Sequence, residues 1–158
     1  MYRYTKIYHL QKYTKYPDIC TVIKTAPIMK AIVLTGRILF SLIFLLSVMG
    51  HFSQPSIAYA ASAGVPAASF LVPLSGVIAA AGALSIILGY KAKWGAWLIV
   101  LFLIPVTFMM HAFWKATDPV AQQMQMVMFM KNIALLGAAL LITYFGSGPL
   151  SLDSRLQK

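Results

Sequence analysis

Four long apolar runs joined by short polar loops constrain the fold of this chain more than any other feature. They cover roughly residues 31–50, 70–89, 95–113 and 127–145. Each run is close to the ~20 residues that an α-helix needs to cross the hydrocarbon core of a bilayer. The connecting loops are too short to build a separate soluble core. The sequence therefore predicts an all-α bundle of four transmembrane helices.

The overall composition agrees with a membrane protein and excludes most soluble classes. Hydrophobic residues make up 60% of the 158 residues, charged residues only 10%, and the mean hydropathy is +0.79. A net charge of +10 in a soluble protein would favour nucleic-acid binding, but here the basic residues flank the apolar runs. We therefore expect the lipid bilayer, and no nucleic acid, as their partner. The single cysteine, Cys20, excludes an intrachain disulfide and a dithiol redox motif.

The distribution of lysine and arginine predicts the orientation. Basic residues lie before or at the start of the first run, in the turn between the second and third runs, and in the C-terminal tail. These are Arg3, Lys6, Lys12, Lys15, Lys24, Lys30 and Arg37, then Lys91 and Lys93, and finally Arg155 and Lys158. Residues 51–69 carry no lysine or arginine, and Lys115 in the third connection is offset by Asp118. The positive-inside rule places both termini in the cytoplasm, as in a multi-pass bacterial inner-membrane protein.

A change of composition near Met29 indicates how the chain is divided. Residues 1–28 are rich in tyrosine and lysine without a regular apolar period, whereas Met29 and Lys30 lead directly into the first run. We interpret residues 1–28 as an extension upstream of the true start at Met29, residues 29–153 as the membrane domain, and residues 154–158 as a short cytoplasmic tail. The alternative is that the first segment is a basic arm lying on anionic lipid.

Small residues predict where helices approach closely. The second run contains Gly76, Ala80 and Ala83, and the fourth contains Gly137. Small side chains let two backbones come together where lipid supplies no hydrophobic driving force. We expect these two helices to pack against each other through these residues, as ordinary helix packing. Asp118 and Pro119 are suited to the N-cap and first position of the fourth helix, and Gly146 to its end.

Polar and titratable residues gather near the outer ends of three predicted helices. His51 ends the first span, His111 lies near the end of the third, and Lys131 and Asn132 lie near the start of the fourth. Ionisable residues within a span are costly and indicate a functional site. The candidate outer-side pocket consists of His51, His111, Lys131, Asn132, Gln125 and Trp114.

Three interpretations of this cluster remain open. Histidine, tryptophan and lysine near the interface also act as plain membrane anchors, and this is the first interpretation. The second is a pocket for a quinone or another small amphiphile. The third, axial ligation of a haem by His51 and His111, has less support, and a metal site has still less because no carboxylate accompanies the histidines. No nucleophile elbow, P-loop or dinucleotide fingerprint is present, so the residues alone assign no reaction.

The order and spacing of several short motifs resemble those of the DoxX family of small bacterial membrane proteins. The resemblance covers residues 29–153. It rests on Gly36-Arg37-Ile38-Leu39-Phe40, Gly50-His51-Phe52, Gly64-Val65-Pro66, Gly89-Tyr90-Lys91, His111-Ala112-Phe113-Trp114, Lys131-Asn132 and Gly148-Pro149-Leu150-Ser151-Leu152-Asp153.

The resemblance implies a four-helix inner-membrane protein. The family takes its name from a subunit linked to quinone reduction, and other members are associated with redox homeostasis. It therefore implies a redox-linked, quinone-associated subunit or accessory, with other membrane or redox proteins as partners. The alternative is a non-catalytic scaffold or a protein that handles a small lipophilic solute. Many relatives carry a glutamate in the second helix where this chain has Ala79 or a neighbouring alanine, so proton transfer through that carboxylate is not available here.

Overall fold

The structure is a computed structural model that describes residues 27–156, and these residues fold into helices without a strand. The α-helices are α1 (Pro27–Ser47), α2 (Gln54–Ser62), α3 (Ala68–Leu88), α4 (Ala92–Met110), α5 (Pro119–Phe145) and α6 (Leu152–Leu156). Two short 3₁₀ segments, Val48–Phe52 and Phe113–Lys115, extend α1 and follow α4. The interpretation of the first segment as an extension concerns residues that lie, apart from Pro27 and Ile28, outside the described part.

Four of these helical stretches are long and apolar enough to cross a membrane. They are Pro27–Phe52, Ala68–Leu88, Ala92–Lys115 and Pro119–Phe145, which we call spans one to four. The predicted all-α bundle of four transmembrane helices is thereby confirmed. We call the end of the bundle that carries His51 and His111 the His end, and the end that carries the Gly89–Lys91 turn and residues 146–156 the tail end.

The fourth span begins and ends where the local sequence predicts. Asp118 is the N-cap of α5, and its side-chain Oδ2 accepts a hydrogen bond from the Ala121 main-chain N–H at 2.7 Å. Pro119 occupies the first turn, where its missing N–H is not needed. Gly146 ends the helix with φ +78°, a left-handed value that favours glycine. Capping residues therefore stand at both ends of α5.

The four spans pack as sequential neighbours. Span one packs against span two, span two against span three, and span three against span four. The core between them contains Phe44, Ile86, Ile99, Leu103 and Ala139, all buried. Among the described residues, the backbones of spans one and four do not pack closely along their lengths. The bundle therefore has a seam between its first and last spans.

Small residues do bring two helices close together, but the pair differs from the predicted one. A Cβ on Gly82 of α3 would lie 2.8 Å from the main-chain oxygen of Gly95 on α4, so span three is the close neighbour of span two. Ala83 of α3 is fully buried and Ala80 is half-buried. Gly137 of α5 is exposed, with no atom of another element within 4 Å of its Cβ position. Gly137 therefore makes no close approach to span two, although Ala139 of the same helix is buried in one core cluster with Ala79 and Ala83 of α3.

The connection between spans one and two contains a helix that the hydropathy pattern did not predict. α2 begins after Ser53, whose Oγ accepts a hydrogen bond from the Ser56 N–H at 3.4 Å. Pro55 stands in its first turn, which is a common helix-start pattern. α2 packs against α3 and the Val48–Phe52 segment, so it covers the His end of the bundle.

Candidate functional site

A cavity of about 740 Å³ lies between the four spans towards the His end. Every span contributes to its wall, together with α2 and the loop that follows it. The lining residues are Ile43, Phe44, Ser47, Gly50, His51, Ser56, Val65, Pro66, Leu71, Val72, Leu74, Ser75, Ile78, Leu101, Phe102, Leu103, Pro105, Val106, Met109, Met110, His111, Lys131, Asn132 and Leu135. Most of this wall is aliphatic or aromatic, so a few polar groups decide what the cavity can recognise.

His51 lines the cavity in a fixed tautomer. Its Nδ1 lies 3.0 Å from the main-chain oxygen of Ser47. Because a carbonyl oxygen only accepts hydrogen bonds, Nδ1 carries a proton, and in the neutral form of the ring Nε2 is then an acceptor. The ring packs 5.5 Å from the ring of Phe102 between centroids, and the side chain rests on Gly76. Packing and hydrogen bonding therefore both hold the imidazole in place.

His111 is held by a chain of hydrogen bonds across the His end. Its Nδ1 lies 2.8 Å from Oε1 of Gln125, and Nε2 of Gln125 donates to the Tyr59 hydroxyl at 2.8 Å. The Tyr59 hydroxyl donates in turn to the Met110 main-chain oxygen at 3.2 Å. Because the Met110 carbonyl can only accept, the Tyr59 hydroxyl donates to it and accepts from Nε2 of Gln125. The Gln125 amide therefore turns its Oε1 towards His111, whose Nδ1 carries the proton. His111 therefore also keeps Nε2 as an acceptor.

Asn132 is the most enclosed polar residue of the predicted cluster. It is only 4% exposed and lines the cavity. Within the described residues its side-chain amide makes no hydrogen bond, although its atoms are not sealed off from the cavity space. A buried polar group without a partner costs about 1–3 kcal/mol, so an unpaired amide facing a cavity indicates a ligand or water there.

The other members of the predicted cluster have different surroundings. Lys131 stands at the edge of the cavity with an exposed side chain, and its Nζ lies 3.6 Å from Sδ of Met128. Gln125 does not line the cavity but hydrogen-bonds to His111, which does. Trp114 is 51% exposed and packs edge-on against Phe113 and Phe129, outside the cavity wall. The structure thus brings four of the six predicted residues to one cavity.

Two hydroxyl groups of the wall are already committed to the protein. Ser47 donates to the Phe44 main-chain oxygen at 2.8 Å, and Ser75 donates to the Val72 main-chain oxygen at 2.7 Å. These hydroxyls therefore offer lone pairs, and no proton, to the cavity. In the described part of the chain no cluster of three or more histidine, cysteine or acidic side chains has a metal-binding arrangement.

A second polar cluster, at the tail end, was not identified from the sequence. Arg37, which the sequence groups with the basic flanking residues, is only 4% exposed and lies within span one. Its Nη1 donates to the Ser147 main-chain oxygen at 2.6 Å and its Nη2 to the Leu150 main-chain oxygen at 2.7 Å. Gly89, with φ +64°, leaves room for the Arg37 guanidinium and for Ser151. Arg37 therefore fixes the segment after span four to span one.

Asp153 completes this tail-end cluster. Its Oδ1 accepts a hydrogen bond from the Lys91 main-chain N–H at 2.9 Å, at the N-terminus of α4, and its own N–H donates to the Gly89 oxygen at 2.9 Å. The Lys91 main-chain hydrogen bond is the largest of the causes that hold the pKa of the Asp153 carboxyl below its usual value, and Arg37 contributes in the same direction. Only the residue types, an acid and a glycine-rich ending, signal this arrangement in the sequence.

Comparison with known proteins places the chain among small membrane proteins. The model of the SURF4 family matches residues 5–158. Inner membrane protein YphA of Escherichia coli (strain K12) is 30% identical over 128 residues, which cover 78% of this chain and 89% of that protein. Inner membrane protein YqjF of the same organism is 29% identical over 128 residues, covering 80% and 92%. No solved structure matches.

These matches confirm the broad prediction of a multi-pass inner-membrane protein of a small membrane-protein family. They do not specifically support the narrower DoxX resemblance. A model match over nearly the whole length and a relative of 30% identity identify the protein as a member of the SURF4 family.

Proposed function

We propose that this protein binds a small amphiphile of the quinone class in the cavity at the His end and serves a redox system of the membrane as a subunit or accessory. In this proposal His51, His111 and Asn132 contact the polar head of the ligand. The apolar wall contacts its ring and the start of its tail. The single observation that carries the proposal is the enclosed Asn132 amide, which has no hydrogen-bond partner among residues 27–156 and faces the same cavity as two oriented imidazoles.

The dimensions and chemistry of the cavity support this proposal. Small-molecule sites typically have about 300–1,000 Å³ and apolar walls with a few well-placed polar groups. A cavity of about 740 Å³ has room for a substituted quinone ring and one or two isoprene units. Plain interfacial anchors would not need a tautomer fixed by the protein, as in His51 and His111.

The seam between spans one and four supports a lateral route of entry. His51 and Ile43 line the cavity from span one, and Asn132 and Leu135 line it from span four. The described backbones of these two spans do not pack closely along their lengths. The cavity is covered at the His end by α2 and by the Tyr59–Gln125 hydrogen bond. A ligand dissolved in lipid would therefore reach the cavity from the bilayer rather than from water.

The DoxX resemblance supports the link to redox chemistry, because that family is associated with quinone reduction. Where many DoxX relatives carry a glutamate in the second helix, this chain has Ala79 or a neighbouring alanine, and Ala79 is fully buried. Any proton exchange with a bound quinone would then use the two imidazoles of the cavity. We further propose that the His end faces outward and the tail end faces the cytoplasm, as the lysine and arginine distribution predicts.

A second function, non-catalytic handling of another lipophilic solute, is favoured by the same seam. The two proposals differ in the head group, because a quinone ring needs polar partners and a plain lipid tail does not. Loss of binding when Asn132 is replaced by leucine supports the quinone class. Tight binding of an aliphatic solute that survives this replacement supports the alternative.

Direct binding tests the proposed function. The full chain in lipid nanodiscs is titrated with a short-chain ubiquinone and its reduced form. Ser75→Phe places a ring in the cavity. Val77→Phe is its matched control, because Val77 lies two residues away on α3, is 54% exposed and does not line the cavity. We expect saturable binding by the wild type and Val77→Phe, and at least about tenfold weaker binding by Ser75→Phe, since a tenfold loss corresponds to about 1.4 kcal/mol. No saturable binding of either form, or equal binding by both variants, would overturn the proposal.

A further inference from the structure

The inner surface of the cavity presents mainly hydrogen-bond acceptors. In their neutral forms His51 and His111 each present Nε2 as a lone-pair acceptor, because each Nδ1–H is held by a protein oxygen. The hydroxyl protons of Ser47 and Ser75 are likewise committed to main-chain oxygens, and Ser56, the third serine of the wall, shares a hydrogen bond with the Ser53 hydroxyl at 2.9 Å. Unlike these side chains, the Asn132 amide keeps a free donor at an enclosed position.

From this pattern we infer that the ligand of the cavity is a hydrogen-bond donor, with hydroxyl groups on its head, and that the cavity prefers a quinol to the corresponding quinone. The inference rests on the proposed function and specifies the chemical form that the site takes. A quinol hydroxyl donates to an imidazole Nε2 and accepts from the Asn132 amide. A quinone carbonyl can only accept, so it would face two imidazole lone pairs.

The edge of the cavity carries a competing donor. Lys131 stands there, and its ammonium group could donate to a carbonyl ligand. Its side chain is exposed, and its Nζ lies near Sδ of Met128. An ammonium group at an exposed edge keeps much of its hydration, so it contributes little to the choice between the two ligands. The preference therefore rests on the buried Asn132 amide and the two half-buried imidazoles.

Gln125 controls this preference as a positioning residue. It holds the Nδ1 proton of His111 through Oε1 and is itself oriented by Tyr59. If Gln125 is replaced by leucine, the ring can move its proton to Nε2 and present a donor to the cavity.

The test compares three probes on the full chain in nanodiscs under anaerobic conditions: a short-chain ubiquinol, its ubiquinone and the dimethyl ether of the quinol. The ether keeps the shape of the reduced ring but has no hydroxyl donor. We expect the quinol to bind at least about tenfold more tightly than either other probe, since an unpaired buried acceptor costs about 1–3 kcal/mol. Gln125→Leu should reduce that ratio several-fold, whereas Val77→Phe, outside the cavity wall, should retain it.

The outcomes separate the two proposals. Equal binding of all three probes to the wild type would overturn the donor inference and leave the proposed quinone-class site intact. Tighter binding of the quinone than of the quinol would also overturn it. Absence of binding for every probe would overturn the proposed function together with this inference. The comparison of probes on the wild type does not depend on how any variant folds.

Discussion

His51 rests directly on Gly76: a Cβ on Gly76 would lie 2.7 Å from Cβ of His51. Real side chains essentially never approach so closely, so the absence of a side chain at residue 76 sets the position of the imidazole. Gly76 thus shapes the cavity wall by allowing His51, which lines the cavity, to lie against it. This relationship joins the packing of spans one and two to the recognition chemistry at the His end.

The first prediction concerns this contact. Gly76→Ala should displace His51 and weaken binding of a short-chain quinol at least about tenfold, while the strain lowers stability by about 1–3 kcal/mol. Gly137→Ala is the matched control, because Gly137 is also a helix glycine but has open space around it. It should leave binding unchanged and raise stability by up to about 1 kcal/mol. Nanodisc titration and thermal unfolding measure both effects. Unchanged binding in Gly76→Ala would show that His51 does not contact the ligand.

The second prediction concerns Arg37 and the segment after span four. Arg37→Met keeps the apolar stem but leaves the Ser147 and Leu150 oxygens without their donor. Each hydrogen bond to a charged group contributes about 1.5–3 kcal/mol, so we expect a loss of at least about 2 kcal/mol. Arg37→Lys should restore only part of it, since one ammonium group does not reproduce the planar fork.

Protease accessibility after Gly146 measures the release of that segment. We expect cleavage to be fastest in Arg37→Met, slower in Arg37→Lys and slowest in the wild type. Equal cleavage in all three proteins would mean that the two guanidinium hydrogen bonds do not hold the segment.

The third prediction is a pH dependence from Asp153. Its pKa is lowered in the folded protein, chiefly by the Lys91 main-chain N–H. The charged carboxyl therefore stabilises the fold above the ordinary carboxyl pKa of 3.8, and this contribution is lost as the pH falls through the lowered folded value. Thermal unfolding midpoints of the wild type should drop at acid pH more than those of Asp153→Asn. Parallel curves for the two proteins would contradict this role.

The fourth prediction concerns orientation. Reporter fusions after Lys30, Lys91 and Lys158 should behave as cytoplasmic, because these sites lie beside the basic clusters. A fusion within residues 54–63 should behave as external. A cytoplasmic signal from that loop would reverse the bundle and place the His end inside.

Hydropathy was sufficient to predict the four spans. His51, His111 and Asn132 line one cavity because of how the helices pack, which spacing along the sequence does not determine. The small residues were assigned to a pair of spans that does not make the closest approach, because the sequence does not reveal which helices are neighbours. Gly82 and Gly95 form the close approach instead.

The hydrogen bonds that orient the site were beyond sequence reasoning. Tyr59 and Gln125 are 66 residues apart, and Arg37 bonds main-chain oxygens more than a hundred residues away. A main-chain oxygen leaves no signature in the residue that carries it, so Arg37 could be recognised only as a basic residue near a membrane. The resemblance motifs did contain Arg37 and Asp153 but gave no reason for them.

Photolabelling tests the central claim most directly. An azido-quinone is activated in membranes that contain the full chain, and the labelled peptides are identified by mass spectrometry with and without an excess of a short-chain quinol. We predict labels on span one near His51 and on span four near Asn132, both suppressed by the quinol. Labels confined to the tail end, or labels near His51 that the quinol does not suppress, would contradict a quinone-class site in this cavity.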